Sequence, residues 1–244
     1  MIMKMEKMLR FGTLPLLLAI TVVSGSPVSA KAAASKIIDS SGAQALPVNA
    51  DGNKFLDQVT NHVKDLGAYK FDGHLDTLKE KGLSVNSGSF IFKPTSLLRV
   101  EVKDGGFKSG SVLVKKRDGT VRAKGGRALL GMKMTLDPDS NMLTLPNGLN
   151  ILQCDLLSLL QGLRRDVASG KKIYATEAPV QIDSNQLFVL ETRDAGQSSQ
   201  RVFVDPHQLI PVEWVIYKNG KVFSTVKFSN FQQIPNLEEK IFEL

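Results

Sequence analysis

The feature that most constrains this chain is a run of short segments in which apolar side chains recur at every second residue and a turn signal soon follows. Tyr69, Phe71, Gly73 and Leu75 alternate with Lys70, Asp72, His74 and Asp76, as in a half-buried strand. Further strands are expected over Ser87 to Lys93, Leu97 to Lys103, Ser111 to Arg117 and Thr120 to Lys124, with a weaker pair at Met132 to Leu136 and Met142 to Leu145. The last third adds Lys172 to Thr176, Val180 to Asp183, Leu187 to Arg193, Arg201 to Asp205, Val212 to Tyr217 and Lys221 to Phe231. Asp104-Gly105-Gly106, Asp118-Gly119 and, most clearly, Asn219-Gly220 are hairpin turns. Short connections make neighbours antiparallel, and a meander of about ten such strands curls toward a barrel or half-barrel.

Two stretches change period. Phe55, Leu56, Val59, Val63 and Leu66 recur at helical spacing between a capping Asp51 and Gly67. Leu149, Leu152, Leu156, Leu159, Leu160 and Leu163 form a more apolar helix, interrupted near Gly162, that must be largely buried. No repeat and no hinge divides residues 51–244, which are expected to form one α+β domain.

The beginning of the chain reads as an export signal. Lys4, Lys7 and Arg10 precede an apolar stretch from Leu14 to Val23, and Val28-Ser29-Ala30 offers small residues for cleavage after Ala30. That stretch is short of the roughly 20 apolar residues a membrane span needs. Residues 31–50 are small and polar without periodicity and are expected to be a flexible leader. The expected product is periplasmic or secreted.

Chemistry is sparse. One cysteine, Cys154, excludes an intrachain disulfide and a cysteine-only metal cluster. His62, His74 and His207 are isolated, and no nucleophile elbow, zinc-protease, phosphate-loop or dinucleotide signature occurs. Asp137-Pro138-Asp139-Ser140-Asn141 has alternate carboxylates but lacks the glycine and glutamate of a calcium loop, and Asp205-Pro206-His207 is an ordinary turn. Neither an enzyme nor a cofactor is expected.

Charge is uneven. The chain carries a net +7, and Arg99 to Lys133 holds ten basic residues, including Lys115, Lys116 and Arg117, against Glu101, Asp104 and Asp118. This stretch can meet anionic lipid or an acidic protein, or it can be a solvated strand face. Nucleic acid is not an expected partner, because only Phe107 interleaves the cations for base stacking.

Four strands are apolar on both faces: Phe90-Ile91-Phe92, Val112-Leu113-Val114, Leu187-Phe188-Val189-Leu190 and Trp214-Val215-Ile216-Tyr217. An antiparallel sheet with one wet face should alternate, so both faces are covered, by protein or by a ligand.

Three stretches resemble the bacterial lipoprotein-carrier superfamily, the group of LolA, LolB and RseB, and the likeness spans most of the chain after residue 30. They are the first helix leading into Tyr69-Lys70-Phe71-Asp72-Gly73; Gly88 to Pro94 followed by Leu98-Arg99-Val100-Glu101; and Val204-Asp205-Pro206 through Pro211 to Trp214, Asn219-Gly220, Phe228 and a tail with Asn236, Leu237 and Phe242. The resemblance implies a curved antiparallel sheet forming an unclosed β-barrel, helices on its concave face, and an apolar cavity for the acyl chains of a lipid or lipoprotein. Cavity candidates are Phe71, Phe90, Phe92, Leu98, Val100, Leu113, Phe188, Phe203, Trp214 and Phe228. The carrier's Arg-Pro pair, whose arginine helps hold a lid, is Lys93-Pro94 here. Lys93, Arg99, Lys115, Lys116 and Arg117 are the candidates for lid or membrane contact. The alternative expectation is an envelope sensor or scaffold that binds another protein through its basic region.

Overall fold

The computed structural model describes residues 46–94 and 96–244. The expected export signal and residues 31–45 of the expected leader lie outside them. Thirteen strands form one antiparallel sheet that does not close, and two helices cover its concave face, as an α+β fold with an unclosed barrel requires.

The strands are β1 (Ala50–Asp51), β2 (Tyr69–Lys79), β3 (Gly82–Lys93), β4 (Leu97–Asp104), β5 (Val112–Lys115), β6 (Val121–Lys124), β7 (Lys133–Leu136), β8 (Lys172–Ala175), β9 (Val180–Ile182), β10 (Asn185–Asp194), β11 (Gln197–Val204), β12 (Pro211–Lys218) and β13 (Lys221–Gln233). Their order is β1-β8-β10-β11-β12-β13-β2-β3-β4-β5-β6-β7, with β9 paired to β10. Chain-adjacent strands mostly pair, as short turns dictate. The non-sequential joins are β1 to β8, β8 to β10 and β13 to β2, the last setting the final strand beside β2 in the middle of the sheet, whose edges are β1 and β7.

Helix α1 (Asn53–Asp65) buries Leu56, Val59 and Val63, and α2 (Leu156–Ala168) buries Leu156, Leu159, Leu160 and Leu163. Both apolar stripes face one core shared with the inner residues of the strands. Gly52, rather than Asp51, occupies the cap position of α1, while Asp51 accepts a hydrogen bond from the Asn53 N–H at 3.0 Å. The second helix is shorter at its start than its leucine spacing suggests: Ile151–Gln153 is a 3-10 turn, and α2 begins only after Asp155, whose carboxylate accepts from the Ser158 N–H. Gly162 lies within α2 and does not break it.

The double-faced strands are explained by two straps on the convex side. Leu46 and Val48 lie against Leu187, Val189, Phe203 and Val215. The end of the expected leader is therefore part of the fold: Val48 is buried, and Ala50–Asp51 pairs with β8. Leu237, Ile241, Phe242 and Leu244 cover Ile91, Leu97, Val112 and Val114 in the same way. In both places the chain itself covers the outer apolar face.

Candidate functional site

Along β2 the inner face presents Phe71, Gly73 and Leu75, and the register sets Phe71 opposite Phe90 and Gly73 opposite Gly88. The Phe71 and Phe90 rings stack at 5.0 Å, and Phe228 meets Phe71 edge-on at 5.5 Å. Beyond them the paired glycines project no side chain. A Cβ on Gly88 would come within 2.8 Å of the Glu101 carbonyl oxygen, so the backbone there requires glycine.

The space left above these glycines is a cavity of about 660 Å³, within the ~300–1,000 Å³ span of small-molecule sites. Its wall is the inner face of β2 to β7 with Val226 and Phe228 of β13, and its roof is the irregular connection containing Met142, Leu143, Leu145, Leu149 and Ile151. Leu159 of α2 and Cys154 close the deep end. Lys79, Asp104, Gly106 and Lys124 are exposed at the other end, which is the mouth. The lining is chiefly aliphatic and aromatic, with polar groups gathered near the opening.

Of the ten cavity candidates, Phe71, Phe90, Val100, Leu113 and Phe228 line this space. Phe92, Leu98, Phe188 and Trp214 lie on the same inner face but are packed into the solid core. The Phe188 ring meets Phe55 of α1 at 4.9 Å, tilted by 51°, and the Trp214 indole N–H donates to Gln200 Oε1 at 2.8 Å. Phe203 points to the convex side, under the Val48 strap. Its neighbour two residues back, Arg201, shares that face, which is the signal in the sequence that Phe203 points outward.

Reading the sequence alone missed much of the roof and far wall: Ala123, Met134, Leu136, Met142, Leu143, Leu145 and Leu149. Met142 to Leu145 forms no strand but a 3-10 turn and a single bridge from Thr144 to Asn150. Its apolar spacing fits no regular period, so no pattern announces that it roofs a cavity.

The cationic candidates have other engagements. The Lys93 ammonium donates to the Leu237 carbonyl at 2.8 Å, and Arg99 donates to the Ile241 carbonyl at 2.9 Å and to Glu101. Arg117 pairs with Glu239, and Lys133 reaches the Leu244 main-chain oxygen. These groups hold the C-terminal strap on the convex face. Lys116 is half-buried in the β5–β6 turn. Lys115 lies opposite Leu98 and Val121 on the inner face, and its charge acts against the burial that pushes the Asp155 carboxyl upward.

Burial also pushes the Cys154 thiol up to about 12, so it is protonated at neutral pH and a poor nucleophile. No group of three or more His, Cys, Asp or Glu able to hold a metal occurs among the described residues. No helix among them is long and apolar enough to cross a membrane.

No family model matches the chain, and no curated protein matches it in sequence. Solved structures do. MucB superimposes with a TM-score of 0.50 at 13% identity, covering 80% of this chain and 63% of MucB. An uncharacterized conserved protein from Thermus thermophilus gives 0.47 at 14%, covering 76% and 91%, and a LolA superfamily protein from Nitrosomonas europaea gives 0.39 at 12%, covering 80% and 99%. The chain is structurally similar to MucB and to LolA superfamily proteins at low sequence identity, and what it shares with MucB is the fold.

Proposed function

We propose that this protein is an exported, periplasmic carrier that shelters the acyl chain of a lipid or lipoprotein in the cavity between β2–β7 and the roof. The observation that supports this reading most is the cavity itself: aromatic and aliphatic walls, a glycine-paired floor, and an opening at one end. Each methylene moved into it from water contributes roughly 0.8 kcal/mol, so a long chain is held without a reaction. The sensor reading loses much of its support, because Lys93, Arg99, Arg117 and Lys133 are engaged with the chain's own strap.

The test is binding of a pyrene-labelled fatty acid, read by fluorescence, together with native mass spectrometry of the protein after residue 30. The expected result is saturable probe binding that Ala123→Phe, which fills the cavity from β6, weakens at least about tenfold by removing burial of a few methylenes. The folded state of the variant is checked by its thermal midpoint. Probe binding unchanged in a folded Ala123→Phe variant overturns the assignment to this cavity.

A further inference from the structure

Antiparallel connection gathers several loops at the end of the sheet where the cavity opens. The β2–β3 turn at Glu80-Lys81, the β4–β5 connection around Lys108, the β6–β7 connection from Gly125 to Met132 and the β12–β13 turn at Asn219-Gly220 all lie there. The β2–β3 hairpin projects beyond the strands that follow it. Its residues from Gly82 to Asn86 lie beyond Ser87, the last β3 residue paired with β4, which is about 17 Å of extended chain.

This end has an unusual surface. The exposed large apolar side chains among the described residues are Leu78, Val85, Leu130, Met132 and Met142: Val85 and Met142 line the cavity, Leu130 and Met132 lie in the β6–β7 connection beside it, and Leu78 is on the outer face of β2 near its turn with β3. Leu130 is 93% exposed and Met132 61%. Leu130 also has φ 50°, a left-handed conformation that a γ-branched residue rarely adopts, and so it stands out from the β6–β7 loop. Interleaved with these residues are the exposed cations Lys79, Lys81, Lys124, Arg127, Lys218 and Lys221, against Glu80, Asp104 and Asp194. At the opposite end, Glu239 of the strap pairs with Lys93 and Arg117. The molecule therefore has one end both cationic and greasy, and that end contains the cavity mouth.

We infer that this end docks on an anionic membrane surface. Leu130 and Met132 enter the boundary between headgroups and acyl chains, the surrounding lysines meet lipid phosphates, and the mouth faces the bilayer so that a chain passes into the cavity without crossing water. Scattered exposed apolar residues are ordinary, but their confinement to one rim with cations between them is what a membrane interface requires. The inference rests on the acyl-binding reading of the cavity.

Vesicle flotation tests it, using phosphatidylcholine vesicles with and without phosphatidylglycerol. The protein is expected to float with the anionic vesicles and far less with the neutral ones. The double variant Leu130→Glu, Met132→Glu is expected to lose flotation at least about tenfold through lost burial and added repulsion. It should keep its thermal midpoint and its pyrene-probe binding in vesicle-free buffer, since both side chains are exposed. Lys116→Glu, at the other end of the sheet, should float as the parent does. Flotation of the double variant at the parent level, or no flotation of the parent on anionic vesicles, overturns the docking surface. Loss of probe binding in Ala123→Phe and retained flotation supports two separable functions; flotation without any probe binding in the parent supports docking and counts against the cavity reading alone.

Discussion

The two halves of the sheet are covered by different means. Over β8 to β12 the inner face lies under α1 and α2, and Leu190, Val202 and Val204 are at most 1% exposed. Over β2 to β7 the cover is the connection from Asp137 to Asp155, which contains two 3-10 turns and no α-helix. A helix delivers a side chain every 1.5 Å and fills the space beneath it. An irregular segment spans the same distance with fewer inward side chains, and here it faces the Gly73–Gly88 pair, which offers none. The hollow lies where the cover changes from helix to loop.

The largest test of this contrast is a pair of truncations. Leu160 in α2 is fully buried against the solid half, and Leu160→Ala should cost about 2–5 kcal/mol. Met134 is half-buried on the cavity wall, so Met134→Ala removes contacts on one side only and should cost about 1 kcal/mol. Urea unfolding measures both. Equal losses would mean that the wall of the cavity is packed as tightly as the core.

A second contrast is electrostatic. In the solid half Glu191, 1% exposed on the convex face, is held by Arg193 and Arg201, and Arg193 also donates to the Val48 carbonyl of the N-terminal strap. Burial pushes the Glu191 carboxyl up, but the two guanidinium groups outweigh it and leave it below the ordinary glutamate range. A lowered folded-state pKa contributes stability above the unfolded value, near 4.3, and that contribution is lost as the pH falls through the lowered value. Glu191→Gln should therefore destabilise by on the order of 2 kcal/mol at neutral pH, with the gap closing below about pH 4. On the cavity half, burial likewise raises the Asp72 carboxyl, while hydrogen bonds from Lys103, Ser89 and Asn230 outweigh it and bring it down to about 2. That group is more exposed, so Asp72→Asn should cost about 0.5 kcal/mol over the same pH range. Thermal melts across pH separate the two. A Glu191→Gln deficit that does not shrink in acid would show that the triad acts through packing, not charge.

The solid half was also the more legible one. Leu187 to Arg193 and Asn219-Gly220 are plain in the sequence because alternation and turn chemistry are local. The apolar outer faces announced that something covers them, yet which segments do so depends on contacts far along the chain, Val48 to Arg193 and Ile241 to Arg99. The cavity half was harder. The β2–β3 hairpin extends to Lys79 and Gly82 because Gly82 takes φ 123°, although Leu78-Lys79-Glu80-Lys81-Gly82 has no standard two-residue turn signal and its strand ends are charged. Phe71, Phe90 and Val100 could be named as lining through the family resemblance, but the roof follows no period, and an absence of side chains at Gly73 and Gly88 is visible only once the register sets them opposite each other.

The smallest effect is the most local probe of the hollow. Cys154 lines the cavity's deep end, and burial holds its thiol near pKa 12, so reaction with a maleimide at neutral pH should be slow. If the cavity admits the reagent, labelling proceeds without global unfolding, and its rate should change little with sub-denaturing urea. A thiol placed in the solid half by Val202→Cys, in a Cys154→Ser background, is reached only when the fold opens, so its labelling should accelerate steeply with urea. Saturating fatty acid should slow Cys154 several-fold, roughly in proportion to the occupied fraction, and leave the introduced thiol changed only by ligand-linked stabilisation. If both thiols follow the same urea dependence, the roof and the helices exclude the reagent equally, and the difference between the two halves does not extend to access from solution.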